Sequence, residues 1–154
     1  MFPREHLFFG AIFSIILFLL FPQIGFLGFL IILFSSVLID VDHYIYYVFK
    51  TNDWNLKHAY DGYIKKGKKA KLLQKKERDN LFIGIFFLHG FEFLFILLLA
   101  SIFISKYFLF VLLGFNFHLL LDIIQTKKCF KRPIKVSLIY DILSAKNLTK
   151  IDFD

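Results

Sequence analysis

Apolar residues along the chain are concentrated in four long runs, at residues 6–21, 24–49, 81–104 and 107–124. Three of the four have 18 residues or more, close to or above the roughly 20 that an α-helix needs to cross a bilayer, and the first, with 16, lies near the lower limit of about 17. The pattern therefore predicts an all-α fold, a four-helix transmembrane bundle, in which residues 1–154 form a single integral membrane domain.

The polar segments between these runs determine how the helices are connected. Two connections are very short, at residues 22–23 and around Lys106, whereas residues 50–80 form a long loop. Short connections join antiparallel neighbours, so the four runs are predicted to pair into two helical hairpins that are linked by the long loop.

Further helical structure is expected outside the four runs. Part of the long loop, within residues 57–80, is expected to form a helix on the membrane surface, but Gly62 and Gly67 argue against one continuous helix there. In the tail, residues 125–154, the apolar segment 134–146 is too short to span a bilayer, and it predicts a short interfacial helix.

The composition is typical of a membrane protein. Hydrophobic residues make up 58% of the 154 residues, the chain contains 23 Phe residues, and the mean hydropathy is +0.65. Cys129 is the only cysteine. A single cysteine excludes an internal disulfide and also a metal cluster that is held by several thiolates.

The basic residues are distributed unevenly along the chain. Seventeen of the 19 Lys and Arg residues lie in the long loop and in the tail after residue 126, and the formal net charge is +7. By the positive-inside rule, the loop and both termini are predicted to be cytoplasmic, in a protein integral to the cytoplasmic membrane. The lysines are expected to attract anionic lipid head groups as partners, whereas specific nucleic-acid binding is not expected.

Ionisable residues interrupt each of the four apolar runs. They are, in chain order, Glu5 and His6, then Asp40, Asp42 and His43, then His89 and Glu92, then His118 and Asp122. In the last three clusters two residues lie three or four positions apart, so they project from one helical face. Asp42 is rotated by roughly 200° from Asp40 on a regular helix, and it joins the others only if that helix is distorted. With the orientation above, all four clusters lie on the cytoplasmic side.

Carboxylates inside a membrane need compensation, because a charged residue at a helix centre costs about 2.5–3.5 kcal/mol on insertion scales. No Lys or Arg lies in the runs at this depth, and imidazole and carboxylate without cysteine suit Zn²⁺, Mn²⁺ or Fe²⁺. We therefore expect one or two divalent ions, with zinc preferred. The candidate ligands are His6, Asp40, His43, His89, His118 and Asp122. Glu92 and Asp42 are the candidate catalytic residues, with Glu92 as the general base or as a further ligand.

Two other interpretations use the same residue types. The polar residues could hydrogen-bond between helices in a purely structural role, or they could line a path for protons or divalent metals in a transporter. A transporter also needs polar groups in the outer halves of the runs, which are nearly free of them. In the long loop, His58 could fold back as a ligand, although a solvated pair with Asp61 is the simpler expectation.

The segments "LIDVDH" at residues 38–43 and "HLLLD" at residues 118–122 resemble the membrane-bound metal-dependent hydrolases of bacteria and archaea, some of which are regulated by LexA. That family carries a Leu-Pro-Asp-x-Asp-His signature, and Ile39 takes the place of its proline here. The resemblance covers the pattern of most of the chain and supports the positions of His6, Asp40, Asp42, His43, His89, His118 and Asp122. The His-x-x-x-Asp pair is more distantly similar to that of zinc-dependent phospholipase C and P1-type nucleases.

Taken together, the residues and the resemblance predict a membrane-embedded, metal-dependent hydrolase. Its expected substrates are phosphoester bonds in lipids or lipid-linked molecules at the cytoplasmic side of the membrane. A bound divalent ion would activate water for hydrolysis, and the lysines of the loop and tail would gather anionic substrate at the surface.

Overall fold

The computed structural model describes residues 3–82, 84–129, 136–150 and 153. These residues are mainly α-helical, which agrees with the predicted all-α class. The helices are α1 (Pro3–Leu20), α2 (Gly25–Leu38), α3 (Val41–Thr51), α4 (Leu56–Leu72), α5 (Lys75–Asp79), α6 (Phe91–Phe103), α7 (Tyr107–Cys129) and α8 (Leu138–Ser144), with short 3-10 turns at Pro22–Ile24, Phe87–His89 and Ala145–Asn147. One parallel pair of short strands, β1 (Leu81–Phe82) and β2 (Thr149–Lys150), joins the end of the long loop to the tail.

Two of the described helical segments are long and apolar enough to cross a membrane, Pro22–Thr51 and Tyr107–Lys128. Helix α6 is also apolar, but its 13 residues extend over only about 20 Å, less than the hydrocarbon core of about 30 Å. The four-span bundle that the sequence predicts is therefore not confirmed, although these two segments agree with a membrane protein.

The third apolar run differs most from its prediction, since residues 81–104 become α-helical only at Phe91. Upstream of this point, Leu81 and Phe82 pair as β1 with β2 of the tail, and Phe87–His89 forms a 3-10 turn in which His89 N donates to Phe86 O at 3.3 Å. At the start of α6, Phe91 N donates to Val136 O at 2.9 Å. As a result His89 lies in a 3-10 turn rather than on a helical face shared with the residues after it.

Small residues bring α1, α2 and α7 into close contact. A Cβ atom at Gly10 of α1 would collide with Ser36 Oγ of α2, and one at Gly114 of α7 would lie 2.6 Å from Ile32 O. Gly10, together with His6 and Ser14, forms the buried stripe along α1. The three residues recur at four-residue steps on one helical face, and such stripes of small residues allow helices to approach closely.

The second apolar run is interrupted at Asp40, between α2 and α3. Two backbone hydrogen bonds there span three residues, from Asp40 N to Val37 O at 3.2 Å and from His43 N to Asp40 O at 3.1 Å. This tighter turn changes the directions in which the side chains of Asp40, Asp42 and His43 project. It supplies the helix distortion that Asp42 needs in order to join the other polar residues.

Residues 57–80 do not form one continuous helix, as predicted, because α4 ends at Leu72 and α5 begins at Lys75. The break does not lie at the glycines, since α4 runs without interruption through Gly62 and Gly67. The side chain of Asn55 caps the first turn by accepting hydrogen bonds from two backbone N–H groups. Gly62 lies against Tyr47 of α3 and Phe153 of the tail, where a Cβ atom would be 3.3 and 3.2 Å from their rings. Close packing at Gly62 offsets its low helix propensity.

Large apolar side chains remain exposed around the helical core. The buried core cluster contains Ile39, Leu97, Leu112, Phe115 and Leu119. The outer faces of α1, α2, α6 and α7 expose other large apolar side chains, including Leu19 at 70%, Phe26 at 69% and Phe103 at 79%. Exposed apolar surface on this scale marks a surface that contacts lipid or another apolar partner.

We expect Gly114→Leu to destabilise the protein, because the new side chain would enter the contact between α7 and the backbone of α2. The expected loss is about 1–3 kcal/mol of unfolding free energy, measured by thermal unfolding in detergent. Gly67→Ala is the matched control, since no atom lies within 4 Å of its Cβ position. The control should be neutral, or stabilising by up to about 1 kcal/mol. Equal effects of the two substitutions would contradict this account of helix packing.

Candidate metal centre

The fold brings the six predicted ligands into one cluster. His6 comes from α1, Asp40 and His43 come from the junction of α2 and α3, His89 comes from the 3-10 turn before α6, and His118 and Asp122 come from α7. Their donor atoms form two groups, each with all atoms within 4.8 Å of one another. We call His6, His118 and Asp122 the inner triad, and Asp40, His43 and His89 the outer triad.

The inner triad is completely enclosed by protein. His6 Nε2 lies 3.2 Å from Asp122 Oδ1, and the rings of His6 and His118 stack at a centroid distance of 3.7 Å. All three residues are buried. In this structure His118 Nε2 and both ring nitrogens of His6 are buried without a hydrogen bond. A buried ring nitrogen without a hydrogen bond needs another partner, and a bound metal ion would supply one.

The outer triad is more open to solvent. Asp40 Oδ1 lies 3.5 Å from His43 Nδ1 and 3.6 Å from His89 Nε2. The side chains of Asp40 and His43 are 19% and 16% exposed, whereas that of His89 is buried. Solvent therefore reaches the cluster through this triad.

The two triads adjoin each other through their carboxylates. Asp40 Oδ1 lies 3.6 Å from His118 Nε2, and Asp122 Oδ2 lies 3.8 Å from His89 Nε2 and 3.9 Å from His118 Nε2. Two ligand atoms that are bound tetrahedrally at 2.0–2.1 Å from a zinc ion are separated by about 3.4 Å. The observed separations exceed this value by only a few tenths of an ångström.

The orientation of two imidazoles is fixed from outside the cluster. His118 Nδ1 lies 2.8 Å from the backbone carbonyl oxygen of Ser36, and His89 Nδ1 lies 2.9 Å from Asp42 Oδ2. Both acceptors require the proton on Nδ1, so in the neutral rings Nε2 carries the lone pair, and it faces Asp40 and Asp122. Metal-binding histidines are commonly held by a carbonyl or a carboxylate in this way.

Asp42 takes part in the cluster as the residue that holds its histidines. Its Oδ1 accepts from His43 Nδ1 at 2.8 Å, and its Oδ2 accepts from His89 Nδ1 at 2.9 Å and from Leu88 N at 3.1 Å. The residue is also fully buried. Both of its oxygens thus hold histidines of the cluster, and the catalytic role that the sequence predicts for Asp42 stays a prediction.

The carboxylate of Glu92 lies at the start of α8. Its carboxylate accepts hydrogen bonds from Ser137 Oγ at 2.6 Å, Leu138 N at 3.0 Å and Ile139 N at 3.2 Å, all at the start of α8. The predicted pairing of Glu92 with His89 on one helical face fails, because α6 begins only after His89. The geometry does not support Glu92 as a ligand or general base, since both of its oxygens bind α8.

His58 does not approach the cluster, which agrees with the expectation that it is solvated. Its Nδ1 lies 2.8 Å from Asp53 Oδ2, so its partner is Asp53 rather than the predicted Asp61. The side chain of His58 is 61% exposed. The Asn55 N–H group, and then His58, hold the pKa of the Asp53 carboxyl below its usual range.

Two residues at the edge of the cluster were not found from the sequence. The ring of Phe86 stacks on His43 at a centroid distance of 4.0 Å, and the Tyr63 hydroxyl donates to His43 O at 2.9 Å. Burial raises the pKa of Tyr63, and Tyr46 and the nearby carboxylates raise it further, so the hydroxyl keeps its proton. Nothing in the sequence connects Tyr63 to His43, because twenty positions separate them.

Comparisons with protein-family models, curated proteins and solved structures find no match for this chain. The family resemblance noted in the sequence therefore remains a prediction, and the cluster is interpreted from its own geometry. That geometry supports a group of buried His and Asp residues that could hold a metal ion.

We expect Glu92→Ala to leave the metal content of the protein unchanged, because Glu92 binds the N-terminus of α8. The substitution should instead release α8, which would make the tail more sensitive to a protease and lower the stability by about 1–2 kcal/mol. Limited proteolysis and elemental analysis of the purified protein test both outcomes. A loss of bound metal in this variant would restore Glu92 as a candidate ligand.

Proposed function

We propose that the protein is a membrane-embedded, metal-dependent hydrolase of phosphoester bonds in lipids or lipid-linked substrates. The observation that carries the proposal is the pair His89 and His118. Their Nδ1 atoms meet fixed acceptors, and their Nε2 atoms face two carboxylates at 3.6–3.9 Å. This arrangement suits Zn²⁺ first, and Mn²⁺ or Fe²⁺ next, because its donors are imidazole nitrogens and carboxylate oxygens.

A purely structural network between helices explains the cluster less well. Such a network is expected to satisfy its buried nitrogens with hydrogen bonds. In this structure His118 Nε2 and both ring nitrogens of His6 are buried without one. His6 Nε2 does approach Asp122 Oδ1, at 3.2 Å, but without the alignment that a hydrogen bond requires.

In the proposed reaction the oxygen of water bonds to the phosphorus atom, the ester P–O bond breaks, and the alcohol leaves with a proton that comes from the water. A bound divalent ion would lower the pKa of its water from 15.7 to about 7 and would polarise the phosphoryl oxygen. Asp40 is the carboxylate that water entering the cluster would meet first, because its side chain is partly exposed. Asp40 thus takes the role of general base that the sequence analysis predicts for Glu92, while Asp42 holds His43 and His89 in place.

The proposed substrate class follows from the surfaces beside the open side of the cluster. Helix α4 borders it, because Tyr63 of α4 binds the backbone of His43. Exposed lysines line the outer side of α4, including Lys65, Lys68 and Lys69. The outer faces of α1, α2, α6 and α7 are apolar. A molecule with an anionic phosphate and an apolar chain would match both kinds of surface.

We expect His118→Gln and Asp122→Asn to lose metal and hydrolytic activity together, by on the order of 100-fold or more, because each removes a donor or a charge from the cluster. The assay measures phosphate release from phosphomonoester and phosphodiester lipids in detergent micelles. His58→Ala is the matched control, since it removes an exposed imidazole outside the cluster. Metal-loaded wild-type protein that cleaves no phosphoester lipid would contradict the proposed reaction.

By the positive-inside rule, we propose that the long loop and both termini lie in the cytoplasm. In a Cys129→Ser background, we expect Lys69→Cys in the loop to react with an impermeant thiol reagent only after the membrane is opened. Lys106→Cys, in the short turn between α6 and α7, should react in intact cells. The reverse labelling pattern would overturn the orientation and place the cluster on the outer side.

A further inference from the structure

The cluster contains more donor residues than one ion normally uses. A zinc ion in a protein usually takes four ligands, and the two triads together offer six residues within a short distance. We infer that the cluster holds two divalent ions, an inner ion bound by the inner triad and an outer ion bound by the outer triad. The inference rests on the proposed metal-binding function, but it is independent of the reaction and of the substrate.

Each triad has its own residue that orients it. In the inner triad, the carbonyl oxygen of Ser36 holds His118. In the outer triad, Asp42 accepts from Nδ1 of both histidines, at 2.8 Å from His43 and 2.9 Å from His89. An outer ion would therefore bind both histidines through Nε2.

The carboxylates lie where bridging ligands would be needed. Asp40 Oδ1 faces imidazoles of both triads, at 3.6 Å from His89 Nε2 and 3.6 Å from His118 Nε2. Asp122 Oδ2 also faces both, at 3.8 and 3.9 Å. In sites with two metals the ions lie about 3.5–4 Å apart and commonly share ligands. The two carboxylates could therefore contact both ions.

The two positions differ in their access to solvent. Every residue of the inner triad is buried, so an ion there would exchange slowly and would join α1 to α7. The outer triad includes the partly exposed side chains of Asp40 and His43. An ion there would exchange faster, and it would be the one that substrate and water reach. The inner ion is thus assigned to stability and the outer ion to the reaction.

The test counts ions in the full-length chain in detergent. Wild-type protein, His6→Ala, His43→Ala and the control His58→Ala are stripped with a chelator, equilibrated with Zn²⁺, desalted and subjected to elemental analysis. We expect two ions per chain in the wild type and the control, and one ion in each of the other variants. His6→Ala should also lower the melting temperature more than His43→Ala, since it removes a ligand of the ion that joins two helices.

One ion per chain in all four proteins would overturn the inference, because a single ion between Asp40, His89, His118 and Asp122 does not need His6 or His43. If His6→Ala does not fold, electron paramagnetic resonance of the Mn²⁺-loaded wild-type protein tests for two ions instead. We expect the spectrum of a magnetically coupled Mn²⁺ pair, and a spectrum of isolated Mn²⁺ would overturn the inference. Two ions without lipid hydrolysis would contradict the proposed reaction and leave this inference intact, whereas one ion with hydrolysis would do the reverse.

Discussion

The structure depends on the burial of ionisable side chains among apolar helices. Asp42 and Asp122 are almost inaccessible to solvent, and they lie beside three fully buried imidazoles. A carboxylate in such surroundings is tolerated only with strong partners, because its loss of hydration costs several kcal/mol or more. Asp42 meets this condition with three hydrogen bonds. For Asp122, the buried imidazoles on either side supply the corresponding contacts, and a shared cation would strengthen them.

Helix packing and the cluster are connected through one short segment of α2. Both α1 and α7 pack closely against α2 at Ser35 and Ser36, because Gly10 of α1 faces Ser36 and Gly114 of α7 faces Ser35. The carbonyl oxygen of Ser36 in turn holds His118 Nδ1. The two glycines therefore set the distance between helices and, through Ser36, the direction of a proposed ligand. A disturbance of this packing would reach the cluster without touching any residue of it.

Much of the cluster could be predicted from the sequence, because the spacing within a helix is local information. The stripe of His6, Gly10 and Ser14 needs only the helical repeat, and lysine distribution places the polar residues at one level. The roles of Asp42 and Glu92 could not be predicted in this way. Asp42 depends on a distorted turn, and Glu92 depends on hydrogen bonds to the tail, which also pairs as a strand with Leu81 and Phe82. Both depend on contacts between distant segments, which no periodic pattern contains.

The break at Asp40 has two effects that a lipid hydrolase needs at the same place. It turns Asp42 toward His43 and His89, which assembles the outer triad. It also ends α2, the most apolar part of the segment Pro22–Thr51, at a residue whose side chain is partly exposed. Hydrolysis of a lipid requires an apolar phase for the acyl chains and access for water to the phosphate. Under the proposed function, the two phases would meet at Asp40, where α2 ends.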